Sequence, residues 1–252
     1  MKLIGTASDH LLDLEIEVRP GSHGSGIAIV LPAFLDSKDD SVVAELASLI
    51  PVTGLDTITF DPRGTWSNEL RGSVADLAPS RQLADLRALI NSKAAPQDRV
   101  VLVGHCYGGY LSLLAAGSDR RVTDVVALMP TRCLIWNKDY DARFDTWADD
   151  EYRTFLRKDA AGLVHEFAVP HSVVRDAARH SLSDVLPTLR QRVLLVGGTK
   201  DQVVGTKTVQ QMHQECAPGR ASLEILPVKH DFRDVPRQHD LVNRCVVNWL
   251  KS

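Results

Sequence analysis

Six short apolar runs punctuate the chain, at residues 27–31, 55–60, 100–103, 122–129, 193–196 and 223–226. They are rich in Val and Ile and lack the strict alternation of a half-exposed strand, which points to strands buried on both faces of a parallel sheet. Ahead of them, residues 11–18 alternate in type over much of their length, as a half-exposed antiparallel strand does. Pro20, Gly21, Gly24 and Gly26 then supply turn residues, so edge strands are expected to open the sheet.

Between the runs lie segments with apolar residues at helical spacing: 40–50, 80–92, 107–116, 206–216 and 236–250. In the second, Leu83, Leu86, Leu89 and Ile90 share one face. Strand and helix alternate, and that pattern predicts an α/β fold, a mostly parallel sheet with helices on both faces. The alternation breaks from residue 131 to about 192, a stretch that holds Trp136, Tyr140, Phe144, Trp147, Tyr152, Phe155 and Phe167. We therefore expect a core built from residues 1–130 and 193–252, carrying a small helical cap insertion at 131–192. There is no internal repeat or low-complexity tract.

Composition narrows the functional classes. A chain of 252 residues with 44% apolar content can bury a full core. With 29 Lys plus Arg against 32 Asp plus Glu and no basic run, nothing could neutralise several phosphates at once, so nucleic acid is not an expected partner. No apolar stretch approaches the roughly 20 residues needed to cross a bilayer, and Asp9 interrupts the N-terminus before a signal-peptide core forms; a cytoplasmic protein is expected. Cys106, Cys133, Cys216 and Cys245 are widely spaced without a Cys-x-x-Cys pair, against a disulfide framework or a zinc site. Cys216 and Cys245 sit among apolar residues at helical spacing and read as small core residues. His165, His171 and His180 show no ligand spacing, and no metal or cofactor is expected.

The chemistry gathers around one turn. The buried run 100–103 passes through Gly104-His105-Cys106-Tyr107-Gly108-Gly109 into a helix. This is the context of a nucleophile elbow, in which a residue between two glycines is held in a strained strand-to-helix turn with its side chain above the sheet. The glycine spacing fits neither a dinucleotide fingerprint nor a phosphate loop. A thiol at Cys106 needs a base, and the base an orienter, at the carboxyl ends of later strands. Asp201 follows the run 193–196, and His230 follows 223–226. His105 is expected to pack beneath the elbow, Asp231 to be a weaker rival for the acid, and Asp61 and Arg63 to form a buried structural pair.

In this order the chain resembles the α/β-hydrolase superfamily over nearly its whole length. Ile29-Val30-Leu31-Pro32-Ala33-Phe34 resembles the oxyanion strand and loop, Asp61-Pro62-Arg63-Gly64 the D-x-R-G turn, and Gly104 to Gly109 the elbow. Gly198 to Asp201 and His230-Asp231-Phe232 resemble the acid and histidine loops. With Cys at the elbow, the form is most similar to the dienelactone-hydrolase branch, although Ala33 stands where that branch carries a Glu. The resemblance implies a hydrolase of carboxylic esters, lactones or thioesters acting on a small-molecule acyl substrate. Cys106 would be the nucleophile, His230 the base and Asp201 its orienter, with the backbone N–H groups of Tyr107 and Phe34 as the oxyanion hole. Cys133, Trp136, Phe144 and Trp147 are candidates to line the substrate pocket. Acyl transfer on the same three residues, or a non-catalytic module that binds a small ligand, are the alternatives. Oligomeric state is not legible.

Overall fold

The computed structural model describes residues 14–22, 24, 26–65, 72–133, 151–159, 161–232 and 235–252. Trp136, Phe144 and Trp147 lie outside the described residues.

Seven strands form one sheet: β1 (Ile16–Arg19), β2 (Gly26–Leu31), β3 (Asp56–Phe60), β4 (Arg99–His105), β5 (Val122–Leu128), β8 (Arg192–Gly198) and β9 (Ala221–Leu226). Their spatial order is β1-β3-β2-β4-β5-β8-β9. Every neighbouring pair is parallel except the edge pair, where β1 runs antiparallel to β3. Among the described residues one antiparallel strand opens the sheet, where edge strands in the plural were expected.

The apolar runs are continuous because both faces of the sheet are covered. Ile27, Ile29 and Leu31 of β2, with Val100 and Leu102 of β4, join one core; Ala28, Val30, Val101 and Val103 join the other. The first core is closed by α2 (Pro79–Lys93), α3 (Tyr107–Ser118) and α6 (Thr206–Glu215), which contribute Leu86, Leu89, Leu113, Val209 and Met212. The second is closed by α1 (Ser41–Leu49) and α7 (Pro236–Lys251), through Val42, Leu46, Val242, Val246 and Leu250. The Asp40 side chain accepts the Val42 N–H at 3.0 Å and so caps α1. Cys216 is buried in the first core, and Cys245 packs against the second.

Contrary to expectation, the described residues of the insertion from 151 onward are not helical throughout. They form an antiparallel hairpin, β6 (Tyr152–Lys158) paired with β7 (Val164–Pro170), followed by two short helices, α4 (His171–Ala177) and α5 (Leu182–Val185). Phe155 and Phe167 face each other across the hairpin on its inner side, and Phe167 and Val169 are buried in the first core. Two of the aromatics that suggested helix, Phe155 and Phe167, instead share the inner face of a two-stranded sheet, for which alternation is the relevant period.

The order β3-β2-β4 places the chain reversal of the sheet between β2 and β4, whose last paired residues are Leu31 and Gly104. At such a reversal the loops leaving the two strands diverge and open a crevice at their carboxyl ends. Two buried charge pairs brace the loops there. Lys38 gives its backbone N–H to Asp61 Oδ1 at 2.9 Å and its Nζ to Oδ2 at 2.6 Å, and Arg63 Nε reaches Asp85 Oδ2 at 2.9 Å. Asp61 and Arg63 are both buried, but the expected pairing is replaced, since each finds its countercharge on another element. Asp85→Ala, which would leave the Arg63 charge buried without that carboxylate, is expected to cost about 3–5 kcal/mol in chemical denaturation. The double change Arg63→Met with Asp85→Leu should recover most of that loss.

Candidate active site

The turn from β4 into α3 is set by what it excludes. A Cβ on Gly104 would overlap the backbone of Gly108, and one on Gly108 would overlap the carbonyl oxygens of Leu31 and Pro32. Glycine at both positions lets the elbow close against β2. Between them Cys106 takes φ 53° and ψ −111°, a backbone conformation that costs a non-glycine residue on the order of 1–3 kcal/mol. Surrounding bonds hold it there. Its N–H donates to the Leu128 carbonyl at 2.9 Å, and its own carbonyl accepts from Tyr110 at 3.1 Å and Thr131 at 3.2 Å.

The structure brings Cys106, His230 and Asp201 together. The His230 ring bonds Asp201 Oδ2 through Nδ1 at 2.9 Å, and Cys106 is near enough to act on the ring's protonation. Asp201 Oδ1 accepts the N–H groups of Val203 at 2.8 Å and Val204 at 3.0 Å, which fixes the carboxylate and leaves Oδ2 to the ring. Burial alone would push the His230 pKa down. The hydrogen bond to the Asp201 carboxylate and the nearness of Cys106 outweigh it and raise the value from 6.5 to about 10. Burial acts on Asp201 in the opposite sense, yet its bond to His230 and the two backbone donors hold its carboxyl below the ordinary value.

His105 is buried with its ring against those of His230 and Phe232, and its Nε2 lies 3.0 Å from the His230 carbonyl oxygen. A carbonyl only accepts, so this ring nitrogen carries the proton. His105 thus ties the histidine loop to the strand that carries Cys106, a tether that its place beside the thiol does not advertise. Asp231 is exposed, and the carboxylate on the His230 ring is that of Asp201.

Tyr107 opens α3, where the first N–H groups have no intrahelical acceptor. Its buried side chain donates from the hydroxyl to the Leu77 carbonyl at 2.8 Å, and its ring meets that of Phe34 edge-on with centroids 5.3 Å apart. Phe34 lies in the loop after β2, so both backbone positions expected to face an oxyanion sit on adjoining walls. Behind them is a small cavity, with room for about one water molecule, lined by Pro32, Ala33, Leu35, Leu77, Tyr107 and Leu111. Cys133 is half-buried beside Tyr110, its carbonyl accepting from the Thr131 hydroxyl at 2.6 Å.

Residues 23–242 match the model of the alpha/beta hydrolase family. The chain belongs to that family. A curated relative, the polyketide transferase grgF of Penicillium sp, is 28% identical over 119 residues, spanning 44% of this chain and 38% of that protein. The solved structure of GrgF from Penicillium sp. sh18 superposes with a TM-score of 0.74 at 17% identity, covering 94% of this chain and 93% of that one. Est1E of Butyrivibrio proteoclasticus, solved with ferulic acid bound, gives 0.73 at 16% identity over 94% of both chains. Alpha/beta hydrolase domain-containing protein 10 from mouse gives 0.75 at 18%, over 94% and 93%. At such identities the likeness is one of fold.

Among the described residues no group of three His, Cys, Asp or Glu side chains could hold a metal ion, and no helix is long and apolar enough to cross a membrane.

The raised His230 pKa links folding to pH. Because the folded protein binds that proton more tightly than the unfolded chain, the stabilisation is fully present below pH 6.5 and is lost as the pH rises to about 10. Thermal unfolding of the wild type and of His230→Gln should therefore show a stability difference that shrinks across this window. A difference that stays flat would contradict the assignment.

Proposed function

We propose that this protein is a thiol-dependent acyl hydrolase, in which Cys106 attacks a carboxylic ester, lactone or thioester and carries the acyl group as a thioester. The observation that carries the reading is the row Cys106–His230–Asp201 at a positive-φ elbow. His230, held by Asp201 and close to the thiol, is placed to take the proton from Cys106 as the sulfur attacks. The thiolate sulfur bonds to the carbonyl carbon, and the carbonyl electron pair moves onto oxygen. That oxyanion is met by the N–H groups of Tyr107 and Phe34. As the tetrahedral intermediate collapses, the C–O or C–S bond to the leaving group breaks and His230 delivers its proton there. Neutral His230 then takes a proton from water, the hydroxide adds to the thioester, and loss of the thiolate releases the acid. Asp201 keeps the ring in one tautomer and offsets the imidazolium charge throughout.

The Gly-His-Cys-Tyr-Gly-Gly form supports a place near the dienelactone-hydrolase branch. With Ala33 where that branch has a Glu, His230 oriented by Asp201 is left to take the thiol proton.

Acyl transfer is the second reading. The name of the Penicillium relative, a polyketide transferase, favours it, and so does the burial of Cys106, which is only 4% exposed. A shielded thioester reacts with whichever nucleophile the pocket admits.

Iodoacetamide labelling followed by peptide mass spectrometry provides the test. Burial pushes the thiols of Cys216 and Cys245 up to about 11, so at neutral pH they should label slowly, and Cys106 should label at least tenfold faster. Turnover of p-nitrophenyl or coenzyme A esters should vanish in Cys106→Ala, and hydroxylamine should release an acyl group trapped on the wild-type protein. Product formed only with an added alcohol or amine would select transfer. Labelling of Cys106 no faster than of the other two thiols, with no covalent adduct, would leave a binding module.

A further inference from the structure

The hairpin of the insertion reaches over the loop that carries Phe34. Arg153, Phe155 and Arg157 alternate along β6 on its half-buried side, between the exposed Tyr152, Thr154, Leu156 and Lys158. The Phe155 ring meets that of Phe34 edge-on at 5.8 Å, and Arg157 Nε donates to the Phe34 carbonyl at 3.3 Å. This bond joins residues 123 positions apart, one in the core and one in the insertion.

The carbonyl held by Arg157 occupies a particular place in its turn. The Asp36 N–H donates to the Ala33 carbonyl at 3.1 Å, which makes Phe34 and Leu35 the two central residues of a β-turn. Leu35 has φ 64°, whereas Phe34 has no positive φ. That combination is a type II turn, whose third position favours glycine. Types I and II differ by a flip of the peptide between the two central residues. In type I the third residue has negative φ, a region that leucine enters without strain. Strained backbone persists only where its surroundings over-determine it. Here the core supplies the Asp36–Ala33 bond and the double bond from Lys38 to Asp61, and the insertion supplies Arg157.

We infer that Arg157 is a positioning residue of the oxyanion hole: by gripping the Phe34 carbonyl it anchors residue 34 and its strained turn to the insertion, and so keeps the Phe34 N–H, carried on the same residue, at the place where the oxyanion forms. The role rests on the acyl-enzyme reading above. It makes the insertion a working part of the site, in addition to a wall of the pocket.

Two reactions of the same sulfur separate this role from general damage. Alkylation of Cys106 by iodoacetamide forms no oxyanion and depends on the thiol and its imidazole. Acylation by p-nitrophenyl acetate passes through the oxyanion. In Arg157→Met we expect alkylation within about twofold of wild type and acylation slower by a factor on the order of 10 to 100, as for a misplaced rather than a deleted donor. Arg157→Lys, which keeps a cationic N–H donor, should recover most of the acylation rate and serves as the control should the Met variant fold poorly. Acylation of Arg157→Met at the wild-type rate, or equal slowing of both reactions in both variants, would overturn the proposal. A defect seen only as a raised KM for esters bearing a carboxylate would also overturn it, by making Arg157 a ligand of the substrate. Failure of the underlying reading looks different: Cys106 of the wild-type protein itself would then alkylate no faster than Cys216 and Cys245, and the proposed role would go with it.

Discussion

The site depends on a steric exclusion. Strand β4 can turn into α3 within a single residue only because positions 104 and 108 carry no Cβ, and that closeness forces the residue between them into positive φ. The backbone of Cys106 is then bonded on both sides, to the end of β5 through Leu128 and to α3 through Tyr110, so the strain has no cheap release. The sulfur stands at the crevice because the chain reversal between β2 and β4 opens the sheet at that point. The loop after β2 forms one wall, and the loops after β8 and β9 bring the carboxylate and the imidazole.

Electrostatically, the site buries charge only where it is answered. Asp201 accepts two backbone N–H groups and the His230 ring, and no oxygen of that carboxylate is left over. Lys38, almost wholly buried in the loop after β2, is matched by both oxygens of Asp61 through its backbone and side chain. The same loop therefore has one tether whose strength depends on charge and another, from the hairpin, whose effect depends on direction. A strained type II turn without glycine is tolerable under that double constraint.

Much of this was legible in the chain itself, for identifiable reasons. Strands buried on both faces leave uninterrupted Val and Ile runs, and amphipathic helices leave their period; the five predicted helices match α1, α2, α3, α6 and α7 to within two or three residues at each end. The elbow was legible because glycine there is a geometric necessity. Asp201 and His230, which the structure pairs, could be singled out because each follows a buried run at the end of the sheet where such sites gather. Partners in space were not. Asp61 and Arg63 are neighbours in sequence, yet a turn sends their side chains to Lys38 and Asp85. The hairpin was hidden because its inner face mixes arginine with phenylalanine, blurring the alternation by which an amphipathic strand is recognised. Arg157 and His105 act on backbone carbonyls far along the chain, and no residue pattern encodes that.

One bond near the base of the insertion has a broader implication. The N–H of Thr131, first residue of the segment that interrupts the core, donates to the carbonyl of Cys106 itself. The insertion is rooted on the peptide of Cys106. Exchange of insertions between members of such a fold, by recombination or by design, therefore has a natural splice site downstream of Thr131. A junction placed earlier would hand the elbow a foreign anchor and would re-aim the sulfur before any new pocket had been sampled.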